Sequence, residues 1–148
     1  MTDWRLRIAD WHDDGDQAAI RHLREQVFIH EQAVPVALEW DGRDDDCMHL
    51  LAMHPQHGAL ATARLCYEAN TGHAHIGRMS VLKDWRRQGI GRAMLDMLIE
   101  HAGMQQILQL ELNAQSHAVG FYQKAGFSPC GDEFLDAGIP HFKMRRSI

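Results

Sequence analysis

Cysteine is scarce in this chain, with three in all. Cys47, Cys66 and Cys130 are odd in number and widely spaced, so they suggest no disulfide framework and point to a reduced, cytoplasmic setting. Long apolar runs are missing, which argues against a membrane span, and Met1 to Arg5 lacks the layout of a signal peptide. Positive charge is in deficit: a formal net charge of −5 argues against nucleic acid as the main partner. Eleven histidines are present, yet pairs such as His73/His75 and His54/His57 lack the local third and fourth ligands of a zinc module. Asp44-Asp45-Asp46 reads as a solvated loop, because the spaced carboxylates and closing Glu of a calcium loop are absent. No metal is therefore expected. Repeats and low-complexity linkers are lacking too, and 148 residues suit one domain spanning 1–148 that buries roughly 70% of its unfolded surface.

What is present is concentrated between Val81 and Ala93. An apolar, extended run from Ile76 to Leu82 feeds a short basic turn, Arg86-Arg87-Gln88-Gly89-Ile90-Gly91-Arg92. A helix pattern follows, with Ile90, Ala93, Met94, Met97 and Leu98 on its apolar face. A helix start leaves backbone N–H groups without partners and carries partial positive charge. Gly89 and Gly91 have no Cβ to keep a ligand from those amides, and Arg86, Arg87 and Arg92 add full charge. Such a turn suits a pyrophosphate.

Two familiar phosphate loops do not fit. The Gly-x-x-x-x-Gly-Lys-Ser/Thr pattern is absent, and the dinucleotide fingerprint needs a small residue where Met94 stands. The hexapeptide Arg86 to Gly91 instead resembles the acyl-CoA loop of the GNAT superfamily of N-acetyltransferases: Arg or Gln, two residues, Gly, one residue, Gly or Ala. Ile76-Gly77-Arg78-Met79-Ser80-Val81 is similar to that superfamily's fourth strand. Leu110 to Ala114 and His117 to Phe127, with Phe121-Tyr122 three residues before Gly126-Phe127, resemble its fifth strand and following helix. Ala137 to Met144 is similar to the last strand of one of its branches.

Periodicity and turn chemistry give an element order that agrees. A strand over Trp4–Ala9 is followed by a helix started by Asp13-Asp14-Gly15-Asp16, with Ala19, Ile20, Leu23, Val27 and Phe28 on its buried face. Residues 30–46 read as polar loop, although the superfamily often places a further helix there. Strands are expected over Cys47–Met53, Ala59–Tyr67, His75–Leu82 and Ile107–Leu112. Helices are expected over Gln88–Ala102, stopping at Gly103, and over Ser116–Lys124. Two closing strands fall near Phe127–Gly131 and Pro140–Arg145. The class is mixed α/β. The resemblance implies a central, mostly antiparallel twisted sheet, a splayed parallel pair of strands four and five, and helices on both faces.

The resemblance also implies the chemistry. Acetyl-CoA is the expected co-substrate, and its acetyl group passes to a primary amine, small or peptide-borne, by direct attack in a ternary complex. Met79, Ser80, Val81, the turn Arg86 to Arg92, Asn113, His117 and Tyr122 are the expected cofactor contacts. An amide near Met79 would face the thioester oxygen, and Asn113, at the end of the fifth strand, would touch the pantetheine arm. Tyr122 is the expected general acid, since a phenol is protonated at neutral pH and can serve a departing thiolate. Many relatives carry a Glu base on the fourth strand, but His75 to Val81 contains no acid. Glu31, Glu39 and Asp41 are expected along the acceptor side, with His117 and Glu111 as further options for the base. The rival reading is a non-catalytic acyl-CoA sensor or adaptor of the same fold. A homodimer stays open.

Overall fold

The computed structural model describes residues 3–148, so Met1 and Thr2 of the N-terminal stretch lie outside it. Strand β1 (Arg5–Ala9) leads to helix α1 (Asp14–Arg24), whose N-cap Asp13 accepts a hydrogen bond from the Asp16 amide at 2.9 Å. Ile20 and Leu23 are buried on one stripe of α1, and Val27 continues it. From Glu25 to Glu31 the helix widens to π geometry, which swings Phe28, Glu31 and Gln32 over the sheet. The stretch read as loop contains a short helix, α2 (Val36–Glu39), and a single tight turn over Asp44–Asp46.

Strands β2 (Cys47–His54), β3 (Gly58–Glu68) and β4 (His73–Val81) then form an antiparallel meander. Helix α3 (Ile90–Met104) crosses to β5 (Gln109–Gln115), which pairs parallel with β4. A one-turn lead-in and α4 (Val119–Gln123) precede β6 (Ser128–Pro129), β7 (Phe134–Asp136) and β8 (Ile139–Ser147). The sheet order is β1-β2-β3-β4-β5-β8-β6, with β7 added on β8. Helix α3 covers one face, where Ile90, Met94, Leu95 and Leu98 meet Leu50, Leu65, Ile76 and Leu112. Helix α1 covers the other, packing Ile20 and Leu23 on Leu51 and Trp11. No helix among the described residues is long and apolar enough to cross a membrane.

The feature that makes a site is the parting of β4 from β5. Their pairing runs from His73↔Gln109 to Ile76↔Leu112 and stops. Just beyond, β4 bulges: Thr62 faces Ser80 and Arg64 faces Gly77, leaving Arg78 and Met79 without register partners, and Arg78 takes φ +50°. A bulge bends its strand and ends regular pairing there. β4 and β5 therefore run on to Val81 and Gln115 with an open gap between them.

Several expectations are corrected. Cys47 and Cys66 are register partners across β2 and β3, with Cα atoms 4.4 Å apart, and form a disulfide; Cys130 alone is free. The register shift at Ala52/Met53 is what brings them opposite each other. Asp44 is not solvated: it is buried between two arginines, and Asp45 accepts from the Trp11 indole at 2.8 Å. Strand β5 extends to Gln115, so Asn113 lies inside it rather than at its end. Helix α3 begins at Ile90, and Gly103 sits in its last turn instead of stopping it. A third closing strand, β7, is joined to β8 by Ala137 and Gly138, both at positive φ, the conformation of a tight type I′ hairpin.

Candidate active site

A cleft of about 630 Å³ runs from the start of α3, through the β4/β5 gap, to the space under α2 and the β7–β8 hairpin. At its first end Gly89 is the N-cap of α3 with φ +86°, and no side chain caps the helix. The first helical bond within α3 is Ala93 N–H to Gly89 C=O at 3.0 Å, so the amides of Ile90, Gly91 and Arg92 have no intrahelical acceptor. A Cβ built on Gly89 would meet nothing within 4 Å; the turn faces open space. At Gly91 the same atom would come 3.5 Å from Phe121 Cζ, so the helix start is backed by an aromatic ring.

The three arginines of the turn differ in what they have left to give. Arg86 Nε donates to Val81 C=O at 2.9 Å, and its two terminal nitrogens donate to the Glu31 carboxylate at 2.6 Å each. That fork ties the turn to the π segment and holds the Glu31 carboxyl below its usual range. Arg92 pairs with Asp96 one turn along the helix at 2.9 Å. Arg87 makes no ion pair among the described residues and is exposed at the cleft. Gln88 does not line it.

Along the gap, Met79, Ser80 and Val81 line one side and Asn113 the other. Ser80 is 2% exposed, and its hydroxyl has no hydrogen-bond partner among the described residues. Tyr122, on α4, stands over the gap, where its hydroxyl approaches only Met79 Sδ, at 3.9 Å. Burial pushes this phenol up to about 12, so it stays a proton donor across the neutral range.

Toward the other end of the cleft, the three acids singled out from sequence turn out to be arginine-bound. Glu39 is 3% exposed; Arg24 Nε donates to it at 2.7 Å and Arg78 Nε lies 3.2 Å away. Burial raises the Glu39 carboxyl despite the opposing pull of Arg78 and Arg24. Asp41 takes two hydrogen bonds from Arg64, which hold it well below the carboxylate range, and it does not line the cleft. Asp44 joins Arg24 to Arg64 at 2.7 and 2.8 Å. The arrangement is a six-membered ionic network that fastens the segment around α2 to β3 and β4.

His117 lines the cleft, with Nε2 2.8 Å from the Gln115 side-chain oxygen, while the Gln115 amide donates to Gln32 at 2.9 Å. Glu111 points elsewhere, toward Lys143 and Arg145 at 3.3 Å each. Sequence reasoning did not single out His75, Arg78, Gln115 or His141 as cleft residues, yet all four line it. The strand alternation carried a signal for three of them. His75, Gln115 and His141 fall on the sheet face opposite the apolar residues Ala74, Ile76, Leu112, Ala114 and Met144. Among the described residues no group of three or more His, Cys, Asp or Glu side chains is arranged to hold a metal.

Comparison with known proteins agrees with this architecture. The sequence profile described as "Acetyltransferase (GNAT) domain" matches residues 12–148. A Bacillus subtilis protein named provisionally as an acetyltransferase is 36% identical over 127 residues, 84% of each chain. The crystal structure of an acyl-CoA N-acyltransferase from Pseudomonas aeruginosa superposes with a TM-score of 0.84 at 30% identity, over 97% of this chain and 98% of that one. A Bacillus subtilis acetyltransferase solved in complex with CoA shares the fold, with a TM-score of 0.70 at 15% identity over 98% and 99% of the two chains.

Proposed function

The chain belongs to the GNAT superfamily of acetyltransferases, and from that premise we propose that it transfers the acetyl group of acetyl-CoA directly to a primary amine. One observation carries the reading: an uncapped helix start at Gly89 opens on the same cleft as an unpaired β4/β5 gap with a buried phenol above it. Pyrophosphate suits the first, because free amides, the dipole and Arg87 all favour an anion there. An extended pantetheine arm suits the second, since β4 past Ile76 offers backbone groups that β5 does not take. The Met79 amide, outside the β3 ladder, is the proposed donor to the thioester oxygen. Asn113 is a proposed contact for the arm.

In the proposed reaction the amine nitrogen attacks the carbonyl carbon, the C–S bond breaks, and the electron pair leaves on sulfur. Tyr122 is the proposed donor of a proton to that sulfur. Its present partner, a thioether sulfur at 3.9 Å, is a weak acceptor that a thiolate would outcompete. Residues 1–148 are proposed to form one catalytic domain, and a small or peptide-borne amine is the proposed acceptor. The rival, an acyl-CoA sensor without turnover, draws support from the arginine pairing of Glu31, Glu39 and Asp41. CoA release from acetyl-CoA, followed across a panel of polyamines, amino acids, aminosugars and peptides, separates the two. Turnover with any amine is the expected outcome; tight CoA binding with none across the panel favours the sensor.

A further inference from the structure

Direct transfer needs a group to take the proton that the attacking amine sheds, and none of the sequence-selected acids is free to do so. Glu31 is held in a fork by Arg86, Asp41 lies behind the cleft on Arg64, and Glu39 is clasped by Arg24 and Arg78. The arginine bonds hold Glu31 and Asp41 low, which makes them poor bases. Glu39 is raised by burial, but it is 3% exposed and would give up its bonds to Arg24 and Arg78 on taking a proton. Three imidazoles line the cleft instead: His75, His117 and His141. His75 stands within the paired part of β4, opposite Glu111, before the strands part. His117 donates Nε2–H to the Gln115 side-chain oxygen, which leaves Nδ1 its lone pair, but the residue is exposed and no aromatic neighbour among the described residues holds its ring plane.

His141 differs from both. It lies on β8 opposite Gln115, at the far end of β5, where the gap is open. Its ring stacks on Phe134 with centroids 5.8 Å apart, and Nδ1 lies 2.6 Å from the Ile139 carbonyl oxygen. A carbonyl can only accept, so Nδ1 carries the hydrogen and the neutral ring keeps its lone pair on Nε2. That atom makes no hydrogen bond among the described residues and is not sealed from solvent. With the residue only 8% exposed and lining the cleft, what remains open of it opens there.

Resting on the acetyl-transfer reading above, we propose that His141 is the general base of this protein, with Nε2 accepting the proton of the attacking amine. The amine lone pair bonds to the thioester carbon, and the resulting N–H⁺ proton passes to Nε2. The tetrahedral adduct then collapses, the C–S pair leaves on sulfur, and Tyr122 protonates the thiolate. The imidazolium and the phenolate exchange protons with water, so the balance is amine plus thioester to amide plus thiol. The Phe134 stack and the Ile139 carbonyl fix both ring plane and tautomer, which is what a base of defined direction requires.

The test is His141→Gln, which keeps a donor for the Ile139 carbonyl and removes the basic nitrogen. Expected are an unchanged acetyl-CoA dissociation constant and a fall in kcat/KM of about 10²–10⁴-fold. A rise in the acetyl-CoA dissociation constant large enough to account for the loss makes His141 a binding residue and overturns the proposal. So does turnover within about threefold of the unaltered protein. Should the variant fail to fold, diethyl pyrocarbonate on the unaltered protein decides. Peptide mapping must find His141 carbethoxylated in step with lost turnover and protected by saturating amine; modification of His141 with turnover intact sinks the idea. Absence of turnover in the unaltered protein overturns this inference together with the transfer reading, whereas normal turnover in His141→Gln leaves the transfer reading standing.

Discussion

Gly89 combines two properties that no other residue offers together at that point. Its φ of +86° favours a residue without Cβ, and the space beyond it is empty. Gly89→Asp should therefore fold, since Asp tolerates left-handed backbone, but should place a negative charge where the diphosphate is proposed to sit. Hydrogen bonds to a charged group contribute about 1.5–3 kcal/mol, so losing two should weaken CoA binding well over tenfold. Gly89→Asn separates charge from backbone strain, and calorimetric titration of both variants with CoA checks the ranking, Asn closer to the native protein than Asp. Tyr122 makes the second prediction at this scale. Tyr122→Phe keeps the edge-on packing against Phe121 and Phe127 and removes the proton donor. Expected is a loss of about 10²–10⁴-fold in kcat with little change in the acetyl-CoA dissociation constant, measured on one preparation. Undiminished kcat would make Tyr122 a packing aromatic only.

At the scale of elements, the segment around α2 is held by charge rather than by apolar contact: Val36 and Leu38 are exposed, while Glu39, Asp44 and Arg24 are buried. Breaking a buried pair by removing one partner costs about 3–5 kcal/mol, so Arg24→Met should lower the midpoint of urea unfolding sharply. The pH dependence of this network follows from its signs. Asp41 is lowered by the hydrogen bonds from Arg64. Asp44 is lowered as well, because Arg24 and Arg64 outweigh the upward push of burial. A carboxyl whose folded pKa is depressed contributes stability above its unfolded value, near 3.9, and that contribution is lost as pH falls further. Glu39 is raised by burial and acts in the opposite sense, its contribution fading as pH rises through its folded value. With two lowered groups against one raised, stability should fall steeply below about pH 4, and Asp41→Asn should flatten that limb of a pH series of thermal melts. An Asp41→Asn variant as acid-sensitive as the native protein would place the lost stability in other carboxylates.

For the whole molecule, the cleft joins elements distant in the chain: the π segment after α1, the middle of β4, the start of α3, α4 and the β7–β8 hairpin. A ligand spanning them should bind the folded state alone. Acetyl-CoA at about 100 times its dissociation constant should then add about 2.7 kcal/mol of stability, visible as a higher Tm. A melt unmoved by millimolar CoA and acetyl-CoA would contradict the proposed use of the cleft. The protein is acidic overall, yet Arg78, Arg86, Arg87 and Arg92 line this cleft, so the proposed anion site owes nothing to net charge.

Local chemistry determined what could be read from the sequence. The Gly89–Gly91 turn before an apolar helix stripe, the apolar strand runs bounded by turn residues and the Phe121-Tyr122 spacing each depend on neighbours within a few residues, so they are legible without a fold. Partnership across the chain was decided only by the tertiary structure. Cys47 meets Cys66 because the β2–β3 register places them opposite each other, and Arg24, Glu39, Asp41, Asp44, Arg64 and Arg78 become one network because α1, the segment around α2 and two strands converge. The same holds for His141, whose ring acquires its tautomer from a carbonyl two residues away but its place in the cleft from β5 and β7 beside it. A side chain's charge and hydrogen-bonding capacity belong to its identity, whereas its partner, burial and direction belong to elements that the chain brings together only on folding.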